Sequence, residues 1–224
     1  VLATTTSTRD SGLLDYILPD FEAKNNVTVE VVAVGTGQAL DMARRGDADV
    51  AMVHAVSLEL AFMAQGEGLC RSAVMYNRFL IVGPSSDPAG IRGLSNASAA
   101  FLRIWQTNST FISRGDNSGT NVKERLLWAL AGVAPSTKNE SWYIETGQGM
   151  AATLTVASEK GAYTLTDDGT FYADQPALNL GILVSGDPRL YNPYHVIVVN
   201  PAQHPHVNVN AALEYARGLV SARA

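Results

Sequence analysis

A short apolar run, a turn of hydroxyl residues and glycine, then apolar residues at helical spacing: this succession recurs along the chain and limits its fold more than any other feature. A strand that leads directly into a helix is followed by a strand running the same way, so repeated units of this kind build a mainly parallel sheet covered by helices. The first run spans 2–4 and leads through Thr4-Thr5-Thr6-Ser7-Thr8 to Leu13, Leu14, Ile17, Leu18 and Phe21, one helical face with Asp10 or Ser11 as N-cap. The second spans 27–34, then the tight turn Gly35-Thr36-Gly37, then Ala39, Leu40 and Ala43 on a helix closed by Gly46-Asp47. The third spans 48–53, with Leu58, Ala61 and Phe62 on the helix behind it, which stops at Gly66 and Gly68.

The longer apolar run 73–82 ends in Gly83-Pro84-Ser85-Ser86-Asp87-Pro88, where a crossover strand gives way to a linker. Beyond it the pattern restarts: a helix over 97–105, a strand over 111–113, and a helix from Ser118 with Val122, Leu126, Leu127 and Leu130 on one face. Segments 142–144, 162–165 and 180–184 are further strands, and 150–157 a helix. Asn192-Pro193 precedes a return strand over 194–199 and a last helix over about 205–220 that packs back on the first lobe. A chain of 224 residues suffices for two compact lobes and no more. The expected fold is therefore α/β, two Rossmann-like lobes joined by two crossover hinges, with 1–83 plus 193–224 as lobe 1 and 84–192 as lobe 2.

Charge excludes some partners. A net charge of −5 provides no broad basic field, so nucleic acid is not expected and any anion must be held by local groups. The single cysteine, Cys70, excludes an intrachain disulfide and a Cys-rich zinc site. No run reaches the length of a membrane span. The opening Val1-Leu2-Ala3-Thr4 lacks a basic stretch before an apolar one, so any signal peptide is expected to have been removed. Sequons stand at Asn26, Asn96, Asn108 and Asn139, in polar stretches where a glycan could project, and chance accounts for them equally well.

Three turns share one plan and one chemistry: Thr4-Thr5-Thr6-Ser7-Thr8, Val34-Gly35-Thr36-Gly37-Gln38, and Ser113-Arg114-Gly115-Asp116-Asn117-Ser118-Gly119-Thr120. Each sets free backbone N–H groups at a helix N-terminus, where the helix dipole favours an anion. Glu145-Thr146-Gly147-Gln148-Gly149-Met150 is a fourth such turn. Arg114 supplies what neutral donors lack, a planar fork that can hold two oxygens of one oxyanion. Its bland reading is a salt bridge with Asp116, which is expected to orient it. His54 follows the third strand without a partner at ligand spacing and is expected to form a hydrogen-bonded wall of the pocket rather than a metal site. His204 and His206 flank Pro205 and are expected at the solvated start of the last helix.

Taken in order, Thr4-Thr5-Thr6-Ser7 with Asp10-Ser11-Gly12-Leu13-Leu14, Val32-Ala33-Val34-Gly35-Thr36-Gly37-Gln38-Ala39-Leu40, Gly46-Asp47-Ala48-Asp49-Val50 and Val53-His54-Ala55 form one half of a wider pattern. Ser113-Arg114-Gly115-Asp116 with Ser118-Gly119-Thr120, Trp142-Tyr143, Glu145-Thr146-Gly147-Gln148-Gly149-Met150 and Tyr163-Thr164-Leu165-Thr166-Asp167 complete it. The whole, spanning nearly the full chain, resembles the tungstate-binding proteins of ABC importers. That resemblance implies a periplasmic-binding-protein-like fold of type II, a ligand held in a cleft between lobes, a monomer, and a periplasmic or extracellular location with an importer permease as partner. Carried over by position, it implicates Thr5, Thr6, Ser7, Thr36, Arg114, Ser118, Gly119, Thr120, Gly149 and Met150 in binding the oxyanion through its oxygens. No cofactor, cation ligand or catalytic residue is implied. Asn121 departs from the family, which often has His after Ser-Gly-Thr; the change is expected to affect the helix more than the anion.

Tungstate and molybdate have nearly the same size and charge, so the sequence does not rank them. Val53-His54-Ala55 lacks the carboxylate that phosphate-binding relatives carry there, which favours a fully deprotonated dianion over phosphate, with sulfate or phosphate as alternatives on the same fold. The rival class is a small α/β enzyme. Gly35-Thr36-Gly37 imitates the opening of a dinucleotide fingerprint, but Leu40 stands in place of the third glycine, and neither a P-loop Lys nor a Gly-x-Ser-x-Gly elbow is present.

Overall fold

The computed structural model describes residues 1–221. In chain order the elements are β1 (Leu2–Thr5), α1 (Thr6–Asp10), α2 (Leu13–Asn25), β2 (Val31–Val34), α3 (Thr36–Arg45), β3 (Val50–Val53), α4 (Val56–Ala64) and β4 (Gly68–Gly83). They continue with α5 (Ala97–Gln106), β5 (Phe111–Ser113), α6 (Gly119–Leu130), β6 (Tyr143–Glu145), α7 (Met150–Lys160), β7 (Tyr163–Asp167), α8 (Asp168–Asp174), β8 (Gly181–Val184), β9 (Tyr191–Val199) and α9 (Val209–Val220). The fold is mixed α/β. Among the described residues no helix is long and apolar enough to cross a membrane.

The chain divides into two compact units, Val1–Tyr76 with the segment from Pro193 onward, and Asn77–Asn192. It passes between them twice, once within β4 and once near the start of β9. In the first unit β2, β1 and β3 run parallel, and β9 lies antiparallel to β3 with Val53 opposite His195. Alternate residues serve opposite faces of this sheet. Ala3, Ala51, Val53, Ile197 and Val199 pack with Leu40, Ala43 and Phe62 on one side. Leu2, Val50, Met52, Val196 and Val198 pack with Leu14, Leu18 and Tyr215 on the other. Both faces are covered, as parallel strands require.

In the second unit the order is β8, β4, β7, β5, β6, with β5 parallel to both β6 and β7 and β4 antiparallel to β7 and β8. Phe79, Ile81, Phe111 and Leu165 face α5 and α6, while Leu80, Val82 and Ile112 face α7 and Phe171. Aromatic edges lock the first of these cores, with Phe101 4.4 Å from Trp128 and 5.4 Å from Phe111, centroid to centroid.

Several local expectations change. The hydroxyl turn after β1 is itself helical, forming α1, and α2 starts behind Gly12 in the left-handed conformation rather than at an Asp10 or Ser11 cap. Gly35 is the N-cap of α3, so Thr36 and Gly37 are its first residues and not a separate turn. Leu126 and Leu130 are about half exposed, because α6 buries the stripe of Thr120, Glu124, Leu127 and Trp128 instead. His204 and His206 precede α9, which Asn208 caps, and pack on Gly46, whose carbonyl lies 2.9 Å from His206 Nε2. Gly46 closes α3 at φ +77, and a Cβ there would meet His204 Nδ1 at 2.7 Å.

Candidate functional site

In the first unit the hydroxyl residues collect at the carboxyl ends of adjacent parallel strands. Thr5, the last residue of β1, pairs with Val34, the last of β2, so the turns opening α1 and α3 lie side by side. Thr5 Oγ1 lies 2.8 Å from Thr8 Oγ1 and 3.1 Å from Ser7 Oγ, and Thr4 Oγ1 donates to Met52 O at 2.8 Å. Thr6 is half-buried at the head of α1. Thr36 is fully buried, yet its hydroxyl has no hydrogen-bond partner among the described residues. The first bond of α3 runs from Ala39 N–H to Gly35 O (2.9 Å), so helix geometry leaves the amides of Thr36, Gly37 and Gln38 without intrahelical acceptors. His54, at the end of β3, is buried and stacks on Tyr194 of β9 at 4.5 Å, and the Tyr194 hydroxyl lies 3.4 Å from Ser7 Oγ. His54 and Tyr194 thus stack together beside the Ser7 turn.

The second unit repeats the plan at the ends of β5 and β6. Thr146 N–H donates to Ser113 O (3.0 Å) and Gly147 N–H to Arg114 O (2.8 Å), so the turn carrying Arg114 and the turn opening α7 are joined. Arg114 is only 4% exposed. Its Nε and Nη2 both donate to Asp116 Oδ2, at 3.1 and 2.5 Å, while Asp116 Oδ1 accepts from Ser118 N–H at 3.1 Å. The salt bridge is therefore real, and one edge of the fork is spoken for. Ser118 caps α6, its hydroxyl accepting from Asn121 N–H at 3.2 Å. Behind that cap the amides of Gly119 and Thr120 lack intrahelical acceptors, and the buried Thr120 hydroxyl has no partner among the described residues. Gly149 caps α7 ahead of the buried Met150. Gly115 has φ +62, and a Cβ there would press on Glu145 Cβ at 2.8 Å, so the Arg114 turn can lie this close to β6 only with glycine.

Beneath the Arg114 turn lies a buried acid that sequence reasoning did not single out. Glu124 Oε2 accepts from Ser113 Oγ at 2.7 Å, and Oε1 accepts from Tyr143 OH at 2.7 Å and Trp128 Nε1 at 3.0 Å. Burial pushes its carboxyl above the ordinary range, and these hydrogen bonds act against that rise. Asn121 Oδ1 accepts from Asn117 N–H (3.1 Å) and its Nδ2 donates to Ser113 Oγ (3.3 Å), so Asn121 braces both ends of the turn. Its place three residues before Glu124 on α6 was visible in the sequence, but nothing local said that both would point inward.

A second buried acid lies in the first unit. Glu59 of α4 accepts from Arg71 Nε (2.9 Å) and Nη2 (2.7 Å), and His195 Nδ1 stands 2.9 Å from Glu59 Oε2 without the alignment of a hydrogen bond. Burial raises the Glu59 carboxyl to about 7, against the opposing pull of Arg71. Burial, then the Arg71 charge, lowers His195 to about 4.

As chemistry, the two strand-end regions offer hydroxyls, helix N-terminal amides and one guanidinium. That donor set suits an oxyanion. Among the described residues no group of three or more His, Cys, Asp or Glu could hold a metal ion.

A family model described as a PBP superfamily domain matches residues 1–223. A Haloferax volcanii protein is 51% identical over 98% of this chain, which spans 65% of that protein's length. The tungstate-binding protein TupA of Peptoclostridium acidaminophilum is 43% identical over 100% of this chain and 78% of its own length. Among solved structures, that of a tungstate ABC transporter protein from Geobacter sulfurreducens shares 50% identity, covers 99% of this chain and 94% of its own, and superposes with a TM-score of 0.88.

Proposed function

Because this chain belongs to the PBP superfamily, and within it to the family of the tungstate-binding proteins, we propose that it is a solute-binding protein that captures a tetrahedral oxyanion, tungstate or its near-twin molybdate. It acts by binding and release, not by turnover. The proposed donors are Thr5, Thr6, Ser7 and Thr36 of the first unit, with Arg114, Ser118, Gly119, Thr120 and the Gly149–Met150 helix start of the second. The observation that carries the reading is the pair of buried, unpartnered hydroxyls of Thr36 and Thr120, each at the N-terminus of a helix. A buried hydroxyl left without a partner is costly and calls for an acceptor. Arg114 brings the positive charge. Its grip on Asp116 fixes the guanidinium plane and leaves Nη1 for the ligand. A small oxyanion as cargo implies an ABC importer permease as partner, a periplasmic or extracellular location and a monomer in solution.

Phosphate is the weaker ligand on this reading. The donors are uncompensated by any free carboxylate in the proposed set, since Asp116 is committed to Arg114 and Ser118, so a protonated oxyanion finds no acceptor. The test is a calorimetric and thermal-shift titration against tungstate, molybdate, sulfate and phosphate. A ligand at about 100 times its Kd stabilises the fold by roughly 2.7 kcal/mol. Tungstate and molybdate should give that response at the lowest concentrations. An equal or stronger response to phosphate overturns the assignment.

A further inference from the structure

We propose that Glu124 is a positioning residue for the anion site, acting through the Ser113 hydroxyl to hold the turn that carries Arg114; the proposal rests on the oxyanion-binding reading. Ser113 Oγ has one proton and two lone pairs. The proton goes to Glu124 Oε2 at 2.7 Å, and the lone pairs accept Gly115 N–H at 3.2 Å and Asn121 Nδ2 at 3.3 Å. The hydroxyl is saturated. Its acceptor bond to Gly115 pins the residue immediately after Arg114, in the left-handed conformation pressed against Glu145. Asn121 holds the far end of the same turn at Asn117.

The direction of every bond depends on a carboxylate. Trp128 Nε1 and Asn121 Nδ2 can only donate, so Glu124 must accept on both oxygens for Ser113 to point its proton inward. An amide in place of the carboxylate cannot reproduce this. With its oxygen toward Trp128 and Tyr143, its NH2 would meet Ser113, which would then face three donors with two lone pairs. With its NH2 toward Trp128, two N–H groups would oppose each other. In the first arrangement one of the two longer bonds, from Gly115 N–H at 3.2 Å or Asn121 Nδ2 at 3.3 Å, is lost, and either loss loosens the Arg114 turn, which Gly115 follows and Asn121 braces at Asn117, while leaving the core volume unchanged. Outer groups that orient ligating side chains have effects of this kind well beyond their own contacts.

The experiment is calorimetric titration with sodium tungstate of the wild type, Glu124→Gln, Ser113→Ala, Arg114→Lys and the double variant Glu124→Gln/Arg114→Lys, at a temperature where melting curves show each to be folded. Glu124→Gln and Ser113→Ala should each weaken tungstate by roughly 10- to 100-fold. In the double variant the second substitution should cost far less than it does alone, because both act through one guanidinium. A merely structural Glu124 predicts a lower melting temperature with unchanged affinity, or fully additive losses; either result overturns the proposal. Should Glu124→Gln not fold, Ser113→Ala decides alone, with wild-type affinity counting against the route. Absence of tungstate binding by the wild type would overturn the functional reading and this proposal together. Wild-type binding with unaffected variants removes the positioning role only.

Discussion

Replacing Thr36 by Val separates what the hydroxyl does for the fold from what it does for the ligand. Valine keeps the branched shape, and Thr36 is fully buried at the first position of α3, where its hydroxyl bonds no other described group. Removing it breaks no bond within the protein, so the melting temperature of the unliganded variant should stay level or rise. A buried polar group without a partner costs about 1–3 kcal/mol, and for a domain of this size each kcal/mol moves Tm by roughly 2–4 °C. Anion affinity should move the other way. A hydrogen bond to a charged group contributes about 1.5–3 kcal/mol, a loss of roughly 10- to 150-fold in Kd for tungstate. Thr120→Val should behave alike, since Thr120 is buried at the second residue of α6 with its hydroxyl equally unpartnered. Differential scanning calorimetry without ligand and titration calorimetry with tungstate read the two quantities independently. The reasoning is refuted if either variant melts several degrees lower and binds tungstate as the wild type does, because the hydroxyl would then be serving the fold.

Arg114→Lys keeps the charge but loses the planar fork that grips Asp116, so it should lower apo stability and weaken tungstate by about 1.5–3 kcal/mol in titration calorimetry; unchanged affinity would take Arg114 out of the site. Glu59, raised from an ordinary 4.5 to about 7, holds its proton more tightly folded than unfolded, so its stabilising contribution is complete below about pH 4.5 and is lost as pH rises through about 7. The wild type should therefore lose Tm relative to Glu59→Gln between pH 5 and 8, and a difference that stays flat or grows with pH contradicts this. His195, lowered to about 4, works the opposite way: its contribution is present above about pH 6.5 and lost as pH falls through about 4. Phe101→Ala empties the centre of the aromatic core of the second unit and should cost about 3–5 kcal/mol in urea unfolding, with tungstate affinity below the melting range unchanged.

The order of strands and helices was legible in the sequence because it is a local property. Apolar runs such as 48–53 and capping residues such as Ser118 and Gly149 declare themselves by period and by capping chemistry within a few residues, and while α3 begins earlier than expected and takes in Thr36 and Gly37, β1, β3, β5, α6 and α7 stand where those signals put them. So does the family, since the ordered set of turns spans the chain. The facing of each element was less legible. Leu126 and Leu130 looked like a core stripe by hydrophobicity, yet α6 turns Thr120, Glu124 and Trp128 inward, because Ser113 of β5, Tyr143 of β6, and Trp128 and Asn121 (3.5 Å) of α6 itself donate to the buried Glu124 carboxylate and make it tolerable there. The long-range pairs could not be read at all. Tyr194 meets His54 across 140 positions, and Glu59 of α4 meets Arg71 of β4 and His195 of β9. Sequence fixes which groups a turn can offer, since that depends on neighbours in the chain. Which of them find partners, and which, like Thr36 and Thr120, are left unpartnered, is decided only when distant strands come together and shut water out.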